Sequence, residues 1–119
     1  MRYVAISEHR NEYLNPITFT KGTYLNIGEN YFGHEKWVHW VFCTIAGHSG
    51  GWVPEQIIHK ISSNVGYALE NYTAKELDIR IGEELQGLKW LNGWVWCIRI
   101  NNNESGWVPE NILFLKVEK

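Results

Sequence analysis

Two cysteines and five histidines are the side chains best suited to nucleophilic or metal chemistry in this 119-residue sequence. A zinc site needs Cys or His ligands paired at short spacings. The histidines His9, His34, His39, His48 and His59 are scattered, and Cys43 and Cys97 are no such pair. A nucleophilic cysteine needs a neighbouring base and access to solvent. Cys43 and Cys97 instead sit at the same place in two similar stretches, and no histidine recurs beside them. Neither a Gly-rich phosphate loop nor a serine elbow occurs. These residues predict a protein that is not an enzyme and carries no metal and no cofactor. What the chain has in excess is aromatic surface, with seven Trp and six Tyr. Large flat rings bury much area per residue and are the usual anchors of binding surfaces. The expected chemistry is therefore recognition.

The remaining composition narrows the partner. Hydrophobic residues are 45% and charged residues 20%, which suits a globular chain. A formal net charge of −2 lacks the basic footprint of a nucleic-acid protein. No apolar run approaches the roughly 18 residues of a membrane span. The opening Met1-Arg2-Tyr3-Val4-Ala5-Ile6 runs straight into a strand-like pattern without a signal peptide, which predicts a cytoplasmic location.

The elements that must hold the aromatics come in two copies. Residues 40–58 read WVFCTIAGHSGGWVPEQII and residues 94–113 read WVWCIRINNNESGWVPENIL. Upstream, Ala5-Ile6 matches Ala68-Leu69, and Gly22 matches Gly82. The chain is accordingly divided into domains 1–61 and 66–119, with the polar stretch 62–65 as a linker. Short runs of Val, Ile, Tyr, Trp and Thr broken by Gly and Asn predict strands throughout. They fall near 2–7, 24–29, 38–45, 51–53 and 58–61, and again near 66–72, 84–90, 94–100, 106–108 and 113–117. Asn92-Gly93 between two runs predicts a tight hairpin turn. Pro54 and Pro109 each end a strand, because Pro cannot donate to a ladder.

Two sets of short strands, each closing on Gly-Trp-Val-Pro, resemble the SH3 domain. The family opens on an Ala-Leu-Tyr-Asp-Tyr-like strand, and Ala5 to His9 and Ala68 to Tyr72 look like it. Its long RT loop ends in a Glu-Leu-Ser-Phe-like stretch before a Gly, as Pro16 to Phe19 and Glu76 to Ile79 do before Gly22 and Gly82. Trp40 and Trp94 fall on the family's first Trp. The resemblance implies an all-β fold of two tandem five-stranded SH3-like small barrels, of the divergent bacterial tandem type. It also implies a ligand-binding module that takes an extended, proline-rich segment of a partner protein between aromatic ridges.

Carried over residue by residue, the first groove would use His9, Glu12, Tyr13, Trp40, Trp52, Pro54 and Ile57. The second would use Tyr72, Trp94, Trp107, Pro109 and Ile112. Ile57 and Ile112 stand where the family has a closing Tyr, so a hydroxyl donor is missing from both. The second RT loop, Thr73-Ala74-Lys75, is short, which predicts a site mainly on the first barrel. Cys43 and Cys97 occupy a position that is small and buried in the family, which predicts core packing. Trp37 and Trp90 flank the second loop. Rival readings are a structural or dimerisation subunit without a ligand, and a single-strand nucleic-acid binder using the rings for stacking.

Overall fold

The fold is given by a computed structural model that describes residues 1–32 and 39–117; Trp37 and His34 lie outside the described residues. The chain is all-β. The first repeat supplies β1 (Arg2–Ala5), β2 (Thr18–Phe19), β3 (Tyr24–Asn30), β4 (Trp40–Thr44), β5 (Gly51–Pro54) and β6 (Ile58–Lys60). The second supplies β7 (Val65–Ala68), β8 (Tyr72–Thr73), β9 (Glu84–Leu91), β10 (Trp94–Arg99), β11 (Ser105–Pro109) and β12 (Leu113–Leu115). A single 3-10 turn follows β5 and another follows β11, each entered from a proline. Both prolines lie on strands at a sheet edge, where a missing N–H leaves no gap in the ladder.

Local sequence explains these elements. Side chains alternate across a strand, so Leu25 and Ile27 of β3 and Val95 and Cys97 of β10 point inward while their neighbours do not. Asn92 and Gly93 both have positive φ, 50° and 89°, which is the type I′ geometry expected of that pair. Gly22 and Gly82 recur because each turns at φ 89°, where a side chain would be strained.

The compact units are not the two repeats. One is the continuous segment 15–74; the other joins 1–14 to 75–119. In the continuous unit the sheet order is β5-β4-β3-β7-β6, with β2 and β8 pairing beside it. In the other unit the order is β11-β10-β9-β1-β12. The two orders are the same once β1 and β7 are treated as equivalents. Each sheet therefore carries the opening strand of the opposite repeat. These compact units differ in their bounds from the sequence division at 1–61 and 66–119. The stretch 62–65, read as a linker, is the turn of the β6–β7 hairpin, closed by the Ile61 N–H donating to the Val65 carbonyl at 2.9 Å. The run 66–72, read as one strand, is split into β7 and β8.

Each unit has its own core. Segment 15–74 buries Ile17, Phe19, Leu25, Val41, Cys43, Val53 and Ala68 among others. The second unit buries Ala5, Leu77, Ile79, Leu85, Val95, Cys97 and Val108. Both cysteines are unpaired and fully buried, as expected of core positions. Burial pushes the Cys43 thiol up to about 11 and the Cys97 thiol up to about 12.

Candidate ligand groove

The exchange of opening strands regroups the candidate residues. His9, Glu12 and Tyr13, carried by the arm that follows β1, belong to the unit of Trp94, Trp107, Pro109 and Ile112. Tyr72, carried by the arm that follows β7, belongs to the unit of Trp40, Trp52, Pro54 and Ile57. The sequence grouping placed Tyr13 with Trp40 and Tyr72 with Trp94, and each of these pairs is divided between the two units.

In the discontinuous unit, the arm is held by backbone. His9 and Ile79 exchange both peptide hydrogen bonds, at 2.9 and 2.7 Å. The His9 imidazole Nε2 lies 2.7 Å from Glu76 Oε1, and its ring meets Trp94 edge-on at 5.6 Å between centroids. Farther along, the Asn11 N–H donates to Asp78 Oδ1 at 2.7 Å and the Tyr13 N–H to Asn11 Oδ1 at 2.9 Å. These bonds fix the bend that leaves Glu12 and Tyr13 exposed. Trp94 is the cross-strand partner of Pro109 and remains half-buried. Trp107 is buried at 6%, with its backbone bonded to Lys75 and Leu77 and its ring against Trp96 at 5.3 Å. Ile112 is half-buried and packs on the core.

The arms 6–14 and 75–82 carry the acids Glu8, Glu12, Glu76 and Asp78 beside the bases Arg10, Lys75 and Arg80. The corresponding arms of the other unit, 15–22 and 69–74, carry Glu70 as their acid.

In the continuous unit, the Tyr72 hydroxyl donates to the Trp52 carbonyl at 3.0 Å and its ring lies against Phe19 at 5.6 Å. Trp52 is half-buried between Phe42 at 5.3 Å and Tyr31 at 5.2 Å, both edge-on. Trp40 is 7% exposed, and Pro54 and Ile57 are buried. The Glu55 carboxyl, on the turn after β5, is held below its ordinary range by the Lys60 ammonium at 2.9 Å. Trp40 is thus buried, whereas Trp52 and Trp94 are only partly so.

Tyr31, Phe42 and Glu76 were missed as site residues. Phe42 meets Trp52 as its cross-strand partner, and Tyr31 reaches Trp52 from just beyond the end of β3. Glu76 meets His9 across the repeat boundary, where no spacing rule connects them.

No curated protein and no solved structure is matched by the chain. The family model of the variant SH3 domain matches residues 2–61. That match covers half of the sequence, and the chain belongs to the variant SH3 domain family.

Proposed function

We propose that this protein is an adaptor-type binding module that takes an extended, proline-rich segment of a partner protein along the Trp94 face of the discontinuous unit. SH3 domains are in general interaction modules for peptide segments, without catalysis of their own. The observation that carries the finer reading is the meeting of His9, Glu76 and Trp94: a half-buried indole with His9 edge-on to it and the Glu76 carboxylate on His9. A flat ring docks a pre-ordered polyproline segment at low entropic cost, and the carboxylates favour basic flanking residues. The two free thiols support a reducing, cytoplasmic setting.

The test is a proline-rich peptide array followed by titration of the wild type, Trp94→Ala and Trp40→Ala. Trp94→Ala should weaken binding by at least about tenfold. Trp40→Ala should lower thermal stability, because its ring is buried, and leave the affinity of the folded fraction nearly unchanged. A folded Trp40→Ala protein that has lost binding overturns the placement. The absence of any binding peptide puts the ligand-free structural reading in its place.

A further inference from the structure

The sheet of the discontinuous unit, β11-β10-β9-β1-β12, is finished differently at its two ends. At the β11 end the backbone is occupied: the Trp107 N–H donates to the Lys75 carbonyl at 2.8 Å and the Leu77 N–H to the Trp107 carbonyl at 3.1 Å. At the other end β12 pairs with β1 alone. In an antiparallel pair, alternate residues turn their N–H and C=O toward the neighbouring strand, and the residues between them turn theirs away. The Lys116 N–H donates to the Arg2 carbonyl at 2.9 Å and the Ile6 N–H to the Ile112 carbonyl at 2.8 Å, so Val4 and Phe114 form the bonded pair between them. Leu113, Leu115 and Val117 therefore turn their backbone groups away from β1. The Leu113 N–H is taken by the Glu110 carbonyl. The Leu113 carbonyl, both groups of Leu115 and the Val117 N–H are left as an open ladder edge, and among the described residues none bonds to them.

The side chains along this edge are apolar. Phe114 is 63% exposed, Leu115 42% and Val117 79%. Leu115 is the cross-strand partner of Tyr3, whose ring meets the exposed Trp90 edge-on at 6.2 Å between centroids. The first repeat fills the same positions differently. Its sheet ends on β6, where Lys60 lies opposite Gly66 as Leu115 lies opposite Tyr3. Asn30, opposite Val41, stands where Trp90 stands opposite Val95. The Leu69 N–H donates to Ile57 at 2.7 Å and the Ile61 N–H to Val65 at 2.9 Å, so the backbone of Lys60 also faces outward. Lysine on an edge strand is a device against pairing with another chain, and an apolar edge is a template for it. The β6 edge carries that device and the β12 edge does not.

We infer that β12 is a docking edge for a second copy of this chain, paired antiparallel about a two-fold axis at Leu115. In that register the strand is complementary to itself. Leu115 lies opposite Leu115, Leu113 opposite Val117, and Phe114 opposite Lys116. Each Leu115 N–H donates to the Leu115 carbonyl of the other copy, and each Val117 N–H to a Leu113 carbonyl, which uses the groups left open in the single chain. The Phe114 ring covers the stem of a lysine whose ammonium is bonded to Glu84 of its own chain. Moving the axis to Lys116 would oppose lysine with lysine and present backbone groups already bonded to β1. A two-fold contact of this kind is isologous and closes at two copies. One short strand with its apolar neighbours is small beside a standard interface of about 1,600 Å², so the dimer forms as concentration rises.

Sedimentation equilibrium of the full chain over a wide concentration range should show the mass rising from one chain to two. Leu115→Lys, which copies Lys60, should remain a single chain and keep the thermal midpoint of the wild type. A wild type that stays monomeric throughout overturns the inference and leaves the edge to a strand of another protein. Self-association of Leu115→Lys at the wild-type concentration overturns it as well. The register is read separately, by a variant that does not depend on how Leu115→Lys folds. Bonded residues of an antiparallel pair have Cα atoms about 5.5 Å apart, within reach of a disulfide. Leu115→Cys should therefore cross-link to its own copy under mild oxidation, and Phe114→Cys, which faces Lys116, should fail to do so under the same conditions. Cys43 and Cys97 are buried and do not compete. Equal cross-linking of the two variants would indicate random collision and overturn the two-fold pairing.

Discussion

His9 and Glu76 show how far a single side chain can be read. Each is an ordinary polar residue in the sequence, and their 2.7 Å approach arises because an arm from one repeat lies on a strand of the other. Cys43 and Cys97 behave in the opposite way, because their small size, their place mid-strand and their recurrence already imply burial. Two predictions belong at this scale. Burial keeps both thiols protonated, so thiol reagents at neutral pH should label neither until denaturant is added, and stoichiometric labelling in buffer would show that the inner face is wrongly assigned. The same shifts have a sign in pH. Unfolded thiols ionise near 9.0, while the folded ones hold their protons to about 11 and 12. Above about 9 the unfolded state binds fewer protons, so stability should fall as pH rises, and the decline should be shallower in a Cys43→Ala, Cys97→Ala chain followed by urea unfolding. A further prediction concerns Ile112, which stands where the family has a hydroxyl. A net hydrogen bond is worth about 0.5–1.5 kcal/mol, so Ile112→Tyr should tighten a bound proline-rich peptide by up to about tenfold in calorimetry.

At the scale of elements, composition and alternation suffice for most strands. The cores of β3, β4, β9 and β10 follow period-two burial, and Asn92-Gly93 makes its turn because both residues tolerate positive φ. Residues 61–64 are the exception. Their polarity suits a linker and a hairpin loop equally well, and the choice depends on what the two flanking strands can reach. The RT arms follow from that choice. An arm that turned at its tip would stay within its repeat; here the chain continues across at Leu14–Asn15 and at Ala74–Lys75. Trp94 thereby meets His9 of the first repeat, which in turn meets Glu76 of the second.

At the scale of the whole molecule, the compact unit 15–74 is inserted in the chain between 1–14 and 75–119. Segment 15–74 has the same sheet order as its companion, but its opening strand β7 comes last, so it is a permuted form of the barrel that interrupts an RT loop. Insertion at exposed loop tips is well tolerated because few contacts are lost there. The buried cluster of this unit lies wholly within 15–74. The excised segment 15–74 should therefore fold cooperatively by itself, giving a single urea transition that coincides by tryptophan fluorescence and far-UV circular dichroism. Non-coincident transitions would mean that the segment depends on the rest of the chain.

The sequence by itself determined the all-β class, the repeat, the strand positions, the inward cysteines and the SH3 resemblance, because these follow from local periodicity, turn chemistry and a motif spelled out twice. Only the tertiary structure decided which arm lines which groove and which tryptophan stays open. The two sheets share a hydrogen-bond pattern, but Gly66 has no room for a Cβ beside the His59 carbonyl, and its counterpart Tyr3 lays its ring over Gly87. A contact such as Tyr3 over Gly87 joins residues far apart in the chain, beyond the reach of local periodicity.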